Sequence, residues 1–140
     1  MTRLTRLLAL LALVGSALGC ATTTTAPTAS ATPAISDVKS LDGTWIGFQT
    51  GRSSGARQPL TVAISDGTYA ASFGAGLSST GTVTATDGKI TVVRTGGSAG
   101  GSTLSATSTA VVEERNGRRV LVGQGRNDLG PFSYELTEQK

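Results

Sequence analysis

LTVAISDGTYAASF, residues 60–73, turns back on itself at Asp66-Gly67, and its two halves agree on which side is apolar. An Asp-Gly pair supplies the two positive φ angles that a type I′ hairpin turn demands. A two-residue turn there sets Ile64 opposite Tyr69, Val62 opposite Ala71 and Leu60 opposite Phe73. Those six share one face, and Thr61, Ala63, Ser65, Thr68, Ala70 and Ser72 share the other. A slip of one residue would scatter both sets, so turn chemistry and hydrophobic alternation fix the same register.

Two further turn pairs extend the pattern. Around Asp87-Gly88, Ala85 meets Ile90 and Val83 meets Val92, with Thr84 and Thr91 on the outside. Around Asn116-Gly117, Val112 meets Leu121, Ala110 meets Gly123 and Glu114 faces Arg119. Val111, Val120 and Val122 fall on the opposite face of this third hairpin, which implies either a covered outer surface or a bulge. Residues 43–49 add a strand in front. At the end, Phe132, Tyr134 and Leu136 alternate with Ser133, Glu135 and Thr137 over residues 132–137. No 3.6-residue periodicity interrupts the series, so the domain is all-β.

About eight strands in a row predict an antiparallel meander that closes into a small barrel. Closure would pair the last strand with the first and remove both sheet edges; a two-sheet sandwich is the competing arrangement. A meander also sorts its connections. The three tight turns belong at one end with the N-terminal approach, and the connections at 50–57, 74–79, 95–101 and 124–130 belong at the other. The inward small residues Ala71, Gly81, Ala85, Ala106 and Ala110 are compatible with a hollow interior and equally with a filled one.

Ahead of this domain, expected to span 41–140, the chain has a different character. Arg3 and Arg6 precede an apolar run from Leu7 to Leu18, whose end, Gly15-Ser16-Ala17-Leu18-Gly19, is a small-residue cleavage zone. That run is shorter than the roughly 17–25 residues that cross a bilayer as a helix, and it reads as a signal peptide over 1–19. Ala17-Leu18-Gly19-Cys20 resembles the lipobox of bacterial lipoproteins, and Cys20 is the only cysteine. The resemblance implies cleavage before Cys20, a thioether-linked diacylglycerol and an acylated (palmitate-type) amine on that residue. With Ala21 rather than Asp next, it implies the outer membrane of the cell envelope, facing the periplasm. Residues 20–40, rich in Thr, Ala, Ser and Pro, bury too little apolar surface to order themselves and read as a tether.

Without Arg3 and Arg6 the 12 Lys and Arg fall to 10 against 9 Asp and Glu, so the net charge drops from +3 to about +1. No basic block is left to engage nucleic acid. With its one cysteine committed to lipid, the domain depends on apolar packing rather than disulfides.

The first strand reads Leu41-Asp42-Gly43-Thr44-Trp45-Ile46-Gly47. It resembles the Gly-x-Trp opening of lipocalins and the Gly-Thr-Trp start of avidin-type barrels. Both families are up-and-down barrels that hold small ligands near an open end. The resemblance implies a ligand-holding barrel in which Trp45, Tyr69 and Phe73 are candidate contacts, although a lone Trp in a first strand is more often a core plug than a ligand contact.

The chemistry open to the chain is narrow. It has no histidine, which excludes a Ser-His-Asp arrangement and a His-based metal site. Asp66 and Asp87 are explained by their turns, and Glu113 and Glu114 by pairing with Arg115, Arg118 and Arg119 across a hairpin. The glycines of 95–101 lack the Lys-Ser/Thr of a phosphate loop. The expectation is a non-enzymatic protein with no metal and no cofactor. In a closed barrel the first and last loops are neighbours, so Arg52, Arg57 and Arg126 are a candidate anion site on the open rim. The function that follows is an envelope binding or accessory lipoprotein holding a small apolar or amphiphilic ligand. The alternative is a filled barrel that meets or inhibits an envelope protein through its loops.

Overall fold

The computed structural model describes residues 34–51, 54–98 and 106–140. Eight strands follow one another: β1 (Gly43–Gly51), β2 (Arg57–Ser65), β3 (Thr68–Phe73), β4 (Ser78–Thr86), β5 (Lys89–Gly96), β6 (Thr107–Arg115), β7 (Arg118–Asn127) and β8 (Gly130–Gln139). Each pairs antiparallel with the next, and β8 returns to β1, so the sheet closes into a barrel. The seam runs from Thr44 opposite Gln139 to Gly51 opposite Phe132. The sandwich is thereby excluded.

The registers are those the turn pairs dictate. Ile64 lies opposite Tyr69, Val62 opposite Ala71 and Leu60 opposite Phe73. Val83 meets Val92 and Ala85 meets Ile90, while Val112 meets Leu121 and Ala110 meets Gly123. Asp66, Asp87 and Asn116 have φ of 47°, 52° and 53°, and the glycine after each is also positive, as a type I′ turn requires.

The β6–β7 register is unbroken, so the outward valines are not explained by a bulge. Val120 is buried because its outer face is covered. Arg115 on β6 reaches Glu135 on β8 at 3.0 Å and Glu113 at 2.7 Å, and that bridge must pass over β7. The expected pairing of Glu114 with Arg119 is replaced. Although the two are in register, Arg119 instead donates to Glu138 at 2.8 Å.

The far end is less roomy than the sequence suggests. β7 runs on to Asn127 and β8 begins at Gly130, so the connection expected over 124–130 shrinks to Asp128 and Leu129. Asn127 Oδ1 accepts from the Leu129 amide at 3.0 Å, an Asx turn that holds so short a reversal. Between β3 and β4 a 3-10 turn, Gly74–Gly76, does the same work. The β5–β6 ladder ends at Val93 opposite Thr107, with one further bond from the Arg94 amide to Ala106 O.

The near end is a closed floor, and the packed body starts ahead of the expected boundary at 41. Ile35 and Leu41 are buried, with Val38 packed against the same core. The 3-10 turn Val38–Leu41 is capped by Asp37, whose Oδ1 accepts from Lys39 N at 2.9 Å. Ile35 O accepts from Gly88 N at 3.1 Å, tying this segment to the β4–β5 turn. Trp45 is fully buried above it and donates through Nε1 to Leu41 O at 2.9 Å. Arg119 lies 5.4 Å from the Trp45 ring and donates to Ser40 O at 2.8 Å. Apolar burial, an indole hydrogen bond and a guanidinium clamp all close the same end.

Candidate functional site

With one end sealed, the other opens into the lumen, where a cavity of about 320 Å³ lies. An eight-stranded barrel is just wide enough to be filled by its own side chains or to hold one small molecule. This one stays hollow because its aromatic rings lie flat on the wall where the neighbouring strand has glycine. Tyr69 is in register with Gly81, and a Cβ at Gly81 would stand 2.7 Å from the ring carbon Cε1. Tyr134 is opposite Gly123 and Phe132 opposite Gly125. A Cβ at Gly123 would meet Tyr134 Cε2 at 2.5 Å, and one at Gly125 would meet Phe132 Cζ at 2.7 Å. Each ring lies within the space a side chain there would need, and at Gly81 and Gly125 the backbone of a neighbouring strand, at Val93 O and Thr107 O, blocks it as well.

The lining is graded. Toward the floor it is aliphatic, with Ile64, Val83, Leu121 and Leu136. Higher up two hydroxyl pairs appear: Tyr69 with Ser79 at 2.9 Å and Tyr134 with Ser108 at 3.0 Å. Both serines are buried, and each is paired with a phenol as burial of a polar group requires. Gln49, Gln58, Asn127 and Arg94 complete the polar part, and Leu77 and Leu129 stand at the mouth. Leu129 is 73% exposed, an apolar side chain held in water beside an apolar chamber.

Burial pushes the Tyr134 phenol up to about 12, against the lowering effect of its bond to Ser108. Burial raises Tyr69 as well, with its bond to Ser79 and the Arg94 charge opposing the rise. Both phenols are therefore neutral in the native barrel at physiological pH. A raised pKa means that the native state keeps protons that the unfolded chain releases. Stability should be level below pH 10, the ordinary value, and fall as pH climbs from there toward about 12. Because the chain has only these two tyrosines, phenolate absorbance reads them directly. The native titration should lag that in concentrated urea, and the urea midpoint should drop as pH rises from 10 toward about 12. Coincident titrations would show that the phenols are not buried.

The structure distributes the sequence candidates unevenly. Tyr69 and Phe73 line the cavity. Trp45 belongs to the floor instead, where its indole is spent on Leu41. Arg57 and Arg126 do not gather at the mouth. Gln58 and Asn127 line the lumen, so alternation turns the adjacent Arg57 and Arg126 outward. Arg57 sits 3.9 Å over the Phe48 ring on the outer wall. Arg52 and Cys20 lie outside the described residues. The arginine that does line the lumen is Arg94, which sequence reading passed over. The Asp87-Gly88 turn held its signal: counting on from Ile90 and Val92 reaches Arg94, opposite Gly81.

This arrangement is suited to enclosing a small molecule with an apolar body. Among the described residues no three His, Cys, Asp or Glu side chains gather as metal ligands, and no helix is long and apolar enough to cross a membrane. No protein family, curated protein or solved structure matches the chain.

Proposed function

We propose that this protein is a lipid-anchored envelope lipoprotein, tethered through Cys20, whose barrel holds a small apolar or amphiphilic molecule. The hollow lumen supports the reading. At about 24 cal/mol per Å³, a dry void of 320 Å³ costs on the order of 8 kcal/mol. Solvent access lowers that figure, yet it stands against a total margin of about 5–15 kcal/mol for a domain. A chamber kept open against a cost of that kind is best explained by an occupant. Its volume sits at the low end of the roughly 300–1,000 Å³ typical of ligand pockets. A filled barrel working through its loops fits this interior poorly.

Native mass spectrometry of protein released from its host's membranes tests both parts. The N-terminal peptide should carry the added mass of acyl chains at Cys20, and the folded protein should carry a small noncovalent companion. A chain with an unmodified Cys20, or Cys20→Ala protein that stays with the membrane, would remove the anchor. A folded protein that is always bare and takes up no apolar probe would remove the carrier.

A further inference from the structure

The charge distribution of the chamber narrows the ligand class, given the reading of the barrel as a carrier. Arg94 is the one charged side chain among the described residues that line the cavity. It sits near the mouth end of β5, where the β5–β6 ladder has ended, and its amide bonds to Ala106 O at 2.9 Å. Its Nε donates to Gly96 O at 3.0 Å and its Nη2 to Gly97 O at 2.9 Å. These two carbonyls are neutral, so the bonds to them orient the guanidinium without cancelling its charge.

That charge is felt inside the lumen, since it is one of the influences opposing the rise in the Tyr69 pKa. The remaining polar lining groups, the two phenols, the two serines, Gln49, Gln58 and Asn127, are uncharged amides and hydroxyls. No Asp or Glu is among the described residues that line the cavity to repel an anion. An incoming molecule therefore meets a cation and hydroxyls near the lip, and aliphatic side chains below. At about 30 Å³ per water-sized group, 320 Å³ holds roughly ten non-hydrogen atoms.

We propose that the chamber takes a medium-chain anionic amphiphile, with its apolar body in the lumen and its acidic head group at Arg94. A fixed guanidinium beside an apolar shaft favours such a molecule over its neutral and cationic analogues, because the charge-assisted contact forms in a partly desolvated setting.

Calorimetric titration of the folded protein with decanoate, 1-decanol and decyltrimethylammonium, each below its micelle concentration, tests the assignment. Decanoate should bind about tenfold or more tightly than the cationic probe, and its affinity should weaken with added salt. Arg94→Gln should lower decanoate affinity about tenfold while leaving 1-decanol within about twofold, and Arg94→Lys should retain part of the preference. If decanoate and 1-decanol bind alike and Arg94→Gln changes them equally, the head-group assignment fails while the carrier stands. If none of the three probes binds, both fail.

Discussion

Trp45→Ala should destabilise the barrel by about 3–5 kcal/mol, the range for deleting a large buried aromatic. Trp45 is fully buried, and three separate interactions end on it or on the groups it organises. Its ring packs in the core with Leu41 and Leu136. Its Nε1 satisfies the Leu41 carbonyl, and the Arg119 guanidinium lies 5.4 Å from its ring. The segment 35–41 is also held by the Gly88–Ile35 and Arg119–Ser40 bonds and by its own buried side chains, so loss of the indole should loosen the floor at the point where these contacts converge. Against a margin of about 5–15 kcal/mol, the variant should unfold at a much lower urea concentration, read by circular dichroism because the chain's sole tryptophan is gone. Trp45→Phe should lose less, since it keeps most of the apolar area and forfeits the hydrogen bond. A loss under about 1 kcal/mol for Trp45→Ala would mean that the floor stands without it.

Gly47→Val should be the second costly change, and it acts on the closing seam. A Cβ at Gly47 would collide with the Glu135 carbonyl oxygen and stand 2.9 Å from the Leu136 Cα. These are backbone atoms of β8, which cannot swing aside as a side-chain tip does. The expected penalty is at or beyond the top of the roughly 1–3 kcal/mol that overpacking costs. Gly117→Ala is the control: nothing lies within 4 Å of its Cβ position, so its cost is the left-handed conformation alone, about 1–2 kcal/mol. Amide exchange should accelerate first in β1 and β8 of the Gly47 variant. Equal penalties at the two sites, with the seam still protected, would show that β8 does not approach Gly47 so closely.

The wall of the barrel is legible in the sequence because its hairpins carry local turn chemistry. Asp66-Gly67, Asp87-Gly88 and Asn116-Gly117 each fix a register, and the alternation of Ile64, Val62 and Leu60 then says which side is in. The same parity places Arg57 outside and Arg94 inside, so the rim of arginines was answerable from residues 57–60 and 90–94. Two features were harder to read. The floor is built by Ile35, Val38 and Leu41, whose three-residue spacing suits a 3-10 turn but is diluted by a segment otherwise rich in polar and small residues. The hollow depends on pairing Tyr69 with Gly81 and Tyr134 with Gly123. Those registers cross the β3–β4 and β7–β8 connections, where no Asp-Gly or Asn-Gly pair announces the turn. Whether a lumen is filled is decided by such cross-strand partners, not by how many small residues point inward.

The site itself follows the same division. Tyr69 and Phe73 are reached by the first hairpin alone, whereas Ser79 becomes the partner of Tyr69 only when β4 pairs with β3, and Ser108 on β6 meets Tyr134 on β8 across β7. Their burial, and the neutral phenols beside Arg94, are properties of the assembled wall.

Whether the lumen takes a guest is tested most directly by nuclear Overhauser contacts between 1-decanol and the protein's methyl groups. Contacts to Val83, Leu121 and Leu136, inside the barrel, are the predicted result. Contacts confined to Ile46, Val93 and Val111 on the outer wall, or none at all, would contradict it.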